Sequence, residues 1–359
     1  MRRSNTPASL PLSQSQSTRV IKSPFMWRWA IFGLVAVLVL PLFVSSFWLH
    51  LINLSLIAIV GALGLNIVTG YSGQVSLGHA AQVGVGAFAA VVVSRATSDG
   101  SLVLSAIVAI VVGMLIGLLI GIPSLRFKGI YLAITTLAAH YALLYAFNEY
   151  QIRVINTESI LMPTASIGGF DIKGRTTWYY VLLVVVFMTL IVTINLVRSR
   201  FGRRWTAVAD KELAAETIGI DSRSVRLSAF VISSGIAALA GVLLAYYLKV
   251  VAVEQFSLQL AVSYLAMIVV GGLGSVLGSV LGAVFITLLP TMLGEILELL
   301  GQDASFGSLP VAIESGSIGL LIVGFLILEP GGMVALWLRI QRTFARWPLR
   351  YLPLEERKR

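Results

Sequence analysis

The side chains that could perform chemistry are few in this sequence, and they lie far apart. The chain has no cysteine, so it contains neither a thiolate nucleophile nor a thiolate metal ligand. Its three histidines, His50, His79 and His140, form no cluster with the spacing of a metal site. No phosphate-binding loop or pairing of a nucleophile with a base is visible. We therefore predict no catalytic site, no metal site and no cofactor on this chain.

One short segment concentrates uncharged polar side chains inside an otherwise apolar region. Its polar members are Asn66, Tyr71, Ser72, Gln74, Ser76, His79 and Gln82, and the interspersed glycines permit irregular backbone. Polar groups at membrane depth rarely face lipid, so they either line an aqueous path or bond to neighbouring helices. We predict a substrate path or gate here, with helix–helix hydrogen bonding as the alternative. Thr135 and Thr136 form a weaker polar face with the same two interpretations.

The most informative polar loop runs from residue 198 to residue 226. The pattern predicts one helix from Arg203 to Ile218, with Gly219 at its C-terminal cap. At 100° per residue, this helix would carry one aromatic and two acidic side chains on a single stripe, namely Trp205, Ala209, Glu212 and Glu216. Such a stripe favours a docking surface for a basic groove on a partner, and a solvated connector is the alternative.

The elements that must position these residues are membrane helices. Hydrophobic residues make up 57% of the 359 positions and charged residues only 12%, about half of what a soluble domain carries. Apolar runs of about 18 to 20 residues can cross the bilayer, and they must do so as helices. The pattern predicts an all-α polytopic membrane protein with about eight to ten transmembrane helices. The predicted spans are 27–44, 49–69, 75–93, 102–122, 129–148, 177–197, 227–248, 258–271, 276–299 and 313–328, of which 75–93 and 258–271 are the doubtful ones.

The net charge of +10 is distributed as a membrane-orientation signal. If the N-terminus is cytoplasmic, only five of the 26 Lys and Arg residues fall outside, which are Arg95, Arg153, Lys173, Arg175 and Lys249. Both termini are then predicted to be cytoplasmic, and nucleic-acid binding is disfavoured. The chain divides into a disordered cytoplasmic tail at 1–24, a transmembrane domain at 25–330 and a basic cytoplasmic tail at 331–359. Residues 149–177 form an external loop, and residues 198–226 a cytoplasmic one.

Four motifs occur in an order that resembles the permeases of branched-chain amino-acid importers driven by ATP-binding cassettes, specifically the LivM type. They are Gly70–Ala81, Leu125–Leu137, Ala214-Ala215-x-x-x-Gly219 and Gly271–Gly278. The third resembles the coupling-helix signature of such permeases, although the glutamate that normally precedes the two alanines is here Leu213, with Glu212 before it. The resemblance implies that the ATPase contacts Arg203, Trp205, Glu212, Ala214, Ala215, Glu216 and Gly219.

The same resemblance implies a set of partners and a location. The partners are a second, LivH-like permease, two cytoplasmic ATP-binding subunits and an external substrate-binding protein. The location is the bacterial inner membrane, which the chain crosses several times. The expected function is alternating-access import of branched-chain or related small amino acids, with urea and amides as other cargo.

A self-contained ion-coupled transporter is the rival interpretation. Such proteins usually place ionisable residues at membrane depth. The acidic residues of this chain fall in predicted loops or near predicted span ends, which disfavours ion coupling.

Two rows of glycine at spacing four predict close helix packing rather than a gating hinge. One row is Gly113, Gly117 and Gly121, and the other is Gly274, Gly278 and Gly282.

Overall fold

The computed structural model of this chain describes residues 37–97, 100–127, 129–299, 316, 319–320, 323–324 and 331–336. Within residues 1–46 it describes a 3₁₀ turn at Leu40–Leu42, which contains Pro41. The remainder is helical apart from short connections. The helices are α1 (Ser46–Leu65), α2 (His79–Thr97), α3 (Leu102–Ser124), α4 (Ile130–Glu149), α5 (Arg175–Arg198), α6 (Arg200–Asp210), α7 (Glu212–Thr217), α8 (Ser222–Leu248), α9 (Leu258–Gly271) and α10 (Val276–Leu299).

Seven helical segments among the described residues are long and apolar enough to cross a membrane, and an eighth, Val276–Met292, is shorter. Two of the seven are lengthened by π-helical segments, Asn66–Tyr71 after α1 and Tyr150–Ile155 after α4. The predicted polytopic all-α membrane fold is confirmed. The doubtful span 75–93 is helical from His79 onward, and the doubtful span 258–271 gains length from a 3₁₀ turn at Val253–Phe256. The predicted spans 27–44 and 313–328 lie largely outside the described residues.

The strands are confined to connections. In the segment between α4 and α5, β2 (Ser166–Ile167) and β3 (Phe170–Asp171) form a small antiparallel hairpin. In the same segment, β1 (Ile160–Leu161) pairs antiparallel with β4 (Val250–Val251), which follows α8. This pairing ties the long 149–177 segment to the end of α8.

Helix α8 lies at the centre of the bundle, with α2 and α3 packed against it. A Cβ at Gly86 of α2 would lie 1.8 Å from the Ala238 carbonyl oxygen of α8. A Cβ at Gly241 of α8 would lie 1.8 Å from the Val83 carbonyl oxygen of α2. The two backbones therefore touch, which only glycine permits and which maximises van der Waals contact where lipid gives no hydrophobic driving force.

The glycines predicted to pack helices fall into two groups. Gly113, Gly117 and Gly121 all face α8, where an added Cβ would lie 2.5 Å from the Ala238 Cβ, 2.4 Å from the Ser234 Oγ and 2.6 Å from the Leu227 Cδ1, respectively. Gly278 and Gly282 face α9 in the same way. Gly274 was predicted on the same helix face, but it lies in the turn before α10 with φ +70°. It has a different role because the chain reverses there, and a left-handed backbone conformation favours glycine.

Candidate functional site

The 198–226 segment forms two short helices rather than one, and we call α6 and α7, together with Ile218 and Gly219 directly after α7, the elbow. Helix α6 begins after Ser199, whose Oγ accepts a hydrogen bond from the Phe201 N–H at 3.1 Å, and it ends at Asp210. Lys211 is extended, with φ −151° and ψ 90°, and α7 begins at the next residue. The prediction of one continuous helix from residue 203 to residue 218 is therefore wrong. The predicted end is correct, since α7 terminates before Gly219, which has φ +83°.

The kink at Lys211 allows both short helices to pack on the same end of the bundle. Trp205 and Val208 of α6 and Ala215 of α7 join one buried cluster with Ile67, Tyr71, Val225 and Ala229. A straight helix of 16 residues would be roughly 24 Å long and could not follow this surface along its whole length. Tertiary packing thus overrides a local sequence that would tolerate a continuous helix.

The four residues of the predicted docking stripe are not all exposed. Trp205 is 0% exposed, and its Nε1–H donates to the Ser228 Oγ at 3.0 Å. Glu212 forms an ion pair with Arg226 of the same chain, the Oε2 and Nη2 atoms being 2.7 Å apart. Ala209 and Glu216 are exposed. The aromatic and the first acid therefore attach the elbow to the bundle.

The outward face of the elbow carries two large aliphatic side chains that the sequence interpretation missed. Leu213 is 79% exposed and Ile218 is 75% exposed. Ala214, Glu216 and Gly219 are exposed beside them, and Arg203 is exposed on α6, where its Nη1 donates to the Arg198 carbonyl oxygen at 2.9 Å. The sequence feature that could have predicted this exposure is the occurrence of isolated aliphatic residues in a polar loop. Exposed aliphatic side chains grouped on a short helix are typical of a protein-interaction surface.

The polar side chains of the 66–82 segment are buried and mostly hydrogen-bonded. Asn66 donates from Nδ2 to the Ser275 carbonyl oxygen at 3.0 Å and accepts at Oδ1 from the Gly274 N–H at 2.9 Å. Gln74 donates from Nε2 to the Ser72 Oγ at 2.7 Å and to the Arg226 carbonyl oxygen at 3.1 Å. The Asn66 bonds join the π-helical segment at 66–71 to the turn before α10, and the Gln74 bond joins the turn at 72–78 to α8. The geometry favours the hydrogen-bonding alternative for these residues over a path.

The remaining members of the polar set are also buried, apart from the half-buried Thr135, although the buried Ser76 Oγ has no hydrogen-bond partner among the described residues. The His79 Nε2 lies 2.8 Å from the Gly61 carbonyl oxygen, and the ring packs edge-on against Tyr264. Thr136 accepts from the Leu77 N–H at 3.1 Å, whereas Thr135 bonds within α4, to the Tyr131 carbonyl oxygen at 2.8 Å. Tyr71, Ser76 and Gln82 are buried. Only Thr135, which is half-buried, adjoins an exposed face.

That exposed face of α4 differs from those of its neighbours. The spans of α3, α4 and α5 are exposed to a similar degree. In their most apolar stretches, only 28%, 28% and 22% of the residues, respectively, are buried inside the chain. Their mean hydropathies, however, are 3.0 for α3, 2.7 for α5 and only 1.5 for α4. The exposed residues of α3 between Val103 and Ile122 are all apolar, whereas α4 exposes Ile130, Tyr131, Ile134, Ala138, Tyr141, Ala142, Tyr145, Ala146 and Asn148.

Two of these tyrosines lie near the middle of their span. Tyr141 is 54% exposed and lies 11 residues after Ile130 and 14 before Ile155, the two ends of the span. Tyr145 is 66% exposed and lies one helical turn further on. Tyrosines that anchor a helix in lipid lie at the interfaces, not at mid-depth. Hydroxyl groups at this depth indicate a face that contacts protein or water rather than lipid.

Comparison with known proteins adds a family to this geometry. Residues 47–328 match the family described as "Branched-chain amino acid transport system / permease component". The chain is similar to the high-affinity branched-chain amino acid transport system permease protein LivM of Escherichia coli, with 31% identity over 279 residues, and to LivM of Salmonella typhimurium, with 28% identity over 277 residues. Each match covers 67% of this chain but only 63% and 62% of the relatives, so it spans less than two thirds of their length. No solved structure matches this chain.

Proposed function

The chain belongs to the permease family of branched-chain amino acid transport systems, as its sequence predicted, and from this premise we propose that it is the membrane-spanning subunit of an ATP-driven importer. Its partners are a second, LivH-like permease, two cytoplasmic ATP-binding subunits and an external substrate-binding protein. The chain lies in the bacterial inner membrane with both termini cytoplasmic. ATP hydrolysis belongs to the partner subunits, and no catalytic step is assigned to this chain.

The outward face of the elbow carries this proposal. Leu213 and Ile218 are exposed there together with Ala214, Glu216 and Gly219, so these residues offer a partner both apolar side chains and a charge. An ATPase that closes on this surface can push the elbow, and Trp205 and Ala215 transmit the displacement because they are buried against the bundle. A two-state change in bundle packing then alternates the access of the solute.

The exposed face of α4 supports the location of the solute path. Tyr141 and Tyr145 place rings and hydroxyl groups near the middle of the span, and the small side chains of Ala138 and Ala142 are exposed on the same face. We place the path along this face, closed on the far side by the second permease. Thr135 is then the one residue of the predicted path set that adjoins it.

The solute is a branched-chain or related small amino acid, with urea and amides as the alternatives. Aromatic faces can hold an apolar side chain and can also attract an ammonium group. The exposed α4 face between Tyr131 and Tyr145 has no charged side chain, so it offers no strong ionic site that would retain a zwitterion during passage.

Co-purification tests the assignment, with a variant matched to its control. The protein is isolated from its native membrane in mild detergent, and the co-purifying subunits are identified. Leu213→Asp replaces an exposed apolar side chain of the elbow with a charge, and it should lose the ATPase pair. Leu161→Asp changes the same residue type at the same 79% exposure in β1, within the predicted external loop, and it should keep the pair.

Two other outcomes would contradict the docking surface or the importer assignment. If Leu213→Asp retains the ATPases as well as the wild type does, then the elbow is not the docking surface. If the wild type is folded, transports solute and purifies without any ATPase, ion-coupled transport replaces the importer assignment.

A further inference from the structure

An ion pair joins the elbow to α8. The Glu212 Oε2 and Arg226 Nη2 atoms are 2.7 Å apart, and the two side chains are only 21% and 17% exposed. Glu212 is the first residue of α7, and Arg226 lies in the second turn of α8. An ion pair this far removed from solvent is less screened than one at the surface, and losing one partner leaves an uncompensated charge.

The backbone of the same arginine is bonded to a different element. The Gln74 Nε2–H donates to the Arg226 carbonyl oxygen at 3.1 Å and to the Ser72 Oγ at 2.7 Å. The Gln74 carbonyl oxygen accepts from the Thr69 Oγ–H at 3.0 Å, and its N–H donates to the Val68 carbonyl oxygen at 2.9 Å. Arg226 thus contacts the elbow through its side chain and the 72–78 turn through its backbone.

These links lie beside a small polar cavity, next to the apolar cluster that packs Trp205, Val208 and Ala215 against the bundle. The cavity measures about 160 Å³, and Ser72, Gln74, Glu212 and Arg226 are among the residues that line it. On its elbow side Ala209 approaches the turn, since a Cβ at Gly73 would lie 3.3 Å from the Ala209 Cβ. Close-packed cores resist changes of shape, whereas elements joined by polar links around a cavity can shift relative to one another.

Helix α7 depends on such links for its position. It has six residues, fewer than an isolated helix needs to be stable in water. Its attachments to the bundle include the buried Ala215 and the Glu212–Arg226 pair. Removing the charge from Arg226 would therefore loosen α7 from α8, while the outward face of the elbow would keep its side chains.

We propose that Arg226 is a positioning residue that couples movement of the elbow to the 72–78 turn through Glu212 on one side and Gln74 on the other. This inference rests on the proposed function, because it concerns how ATPase movement reaches the membrane helices. The link predicts a particular defect. Loss of Arg226 should leave ATPase docking and ATP hydrolysis in place while less of the hydrolysis drives solute movement.

The test measures uptake and hydrolysis in the same vesicles. The complete transporter, purified with its co-isolated partner subunits, is reconstituted into liposomes with radiolabelled L-leucine as the probe, and leucine moved per ATP hydrolysed is recorded. Arg226→Gln and Glu212→Gln should each lower this ratio about tenfold, within the range typical of coupling between two sites. The double exchange Glu212→Arg with Arg226→Glu should restore most of the ratio. Arg223→Gln removes the same charge from an exposed position in the same helix, and the ratio should not change.

A second variant keeps the inference testable if Arg226→Gln fails to assemble. Gln74→Met removes the bond to the Arg226 carbonyl oxygen with little change of volume, and it should lower the ratio while the ion pair is intact. Unchanged ratios in Arg226→Gln and Gln74→Met would overturn the inference. A parallel fall of uptake and hydrolysis would also overturn it, because that result indicates a purely structural role. A wild-type assembly whose leucine uptake consumes no ATP would instead overturn the proposed function.

Discussion

Asn66 illustrates at the scale of single residues how the polar side chains of the membrane domain are used. It is buried, and it caps the turn before α10 by donating to the Ser275 carbonyl oxygen and accepting from the Gly274 N–H. The Ser275 carbonyl oxygen also accepts the first backbone bond of α10, from the Ser279 N–H at 3.0 Å, whereas the Gly274 N–H lies before the helix and donates to Asn66. Because unsatisfied backbone groups are costly inside a membrane protein, this side chain stabilises the fold rather than contacting solute.

Replacing Asn66 with leucine tests this assignment. Asn66→Leu keeps the volume similar but leaves the Gly274 N–H without its partner and removes one of the bonds to the Ser275 carbonyl oxygen, so we expect a loss of about 1 to 3 kcal/mol in stability. Thermal unfolding in detergent measures the change. Asn195→Leu, at an exposed position of α5, is the matched control and should change the unfolding temperature little. Equal effects in the two variants would contradict the assignment.

The sequence could identify this polar group but not its partners. A cluster of amides and hydroxyls in an apolar run is visible by composition, and it permits either a path or interhelical bonds. The partners of Asn66 lie 208 and 209 residues away, and no local pattern encodes a contact at that separation. The same limit hid the burial of Trp205, whose indole bonds to Ser228, 23 residues downstream.

At the scale of elements, the helices in contact with lipid can be distinguished by what they expose. The exposed residues of α3 between Val103 and Ile122 are apolar and those in the middle of α5, between Val184 and Val192, are apolar too, whereas the middle of α4 exposes Tyr141 and Tyr145. If α4 borders a water-filled path, then thiols introduced on its exposed face should be accessible from water. The absence of cysteine from this chain means that every thiol labelled on it is the introduced one.

Single-cysteine variants test the accessibility of α4. Tyr141→Cys and Tyr145→Cys should react with a water-soluble maleimide in the assembled transporter. Val111→Cys on α3 and Phe187→Cys on α5 have comparable exposure in the isolated chain, at 52% and 58%. They should react about tenfold more slowly or not at all, because only the thiolate reacts and lipid suppresses its formation. If all four positions react with the maleimide at the same rate, the exposed face of α4 does not border the solute path.

Element boundaries were predictable where the bilayer dictates them. Long apolar runs correctly predicted α1, α3, α5 and α8, because only a helix satisfies the hydrogen bonds of the backbone in lipid. The elbow lies where no such constraint acts. Its break at Lys211 follows from packing against Ile67, Tyr71 and Val225, which lie on two other elements, so the local sequence predicted a continuous helix.

At the scale of the whole molecule, the bundle depends on the backbone contact of α2 with α8. The intrinsic helix preference of alanine over glycine favours Gly241→Ala by about 1 kcal/mol. The position of the Val83 carbonyl oxygen, 1.8 Å from the added Cβ, reverses that expectation, because α2 and α8 would have to separate.

Two glycine substitutions compare the loss of this helix–helix contact with local backbone strain. Gly241→Ala should abolish a monodisperse peak in gel filtration or lower the unfolding temperature strongly. Gly219→Ala adds a Cβ in open space at φ +83°, and its backbone strain should cost only about 1 kcal/mol. A Gly241→Ala protein as stable as the wild type would show that α2 and α8 can move apart without cost.

The bond between Asn66 and the turn before α10 also has a consequence for the timing of biogenesis. The Gly274 N–H that Asn66 accepts from is added 208 residues later. At synthesis rates of about 5 to 20 residues per second, α1 waits roughly 10 to 40 s on the ribosome before that partner exists. During this interval the amide of Asn66 must be satisfied by water, by lipid headgroups or by the insertion machinery. The arrival of α9 and α10 then closes this part of the bundle onto α1, which was synthesised much earlier.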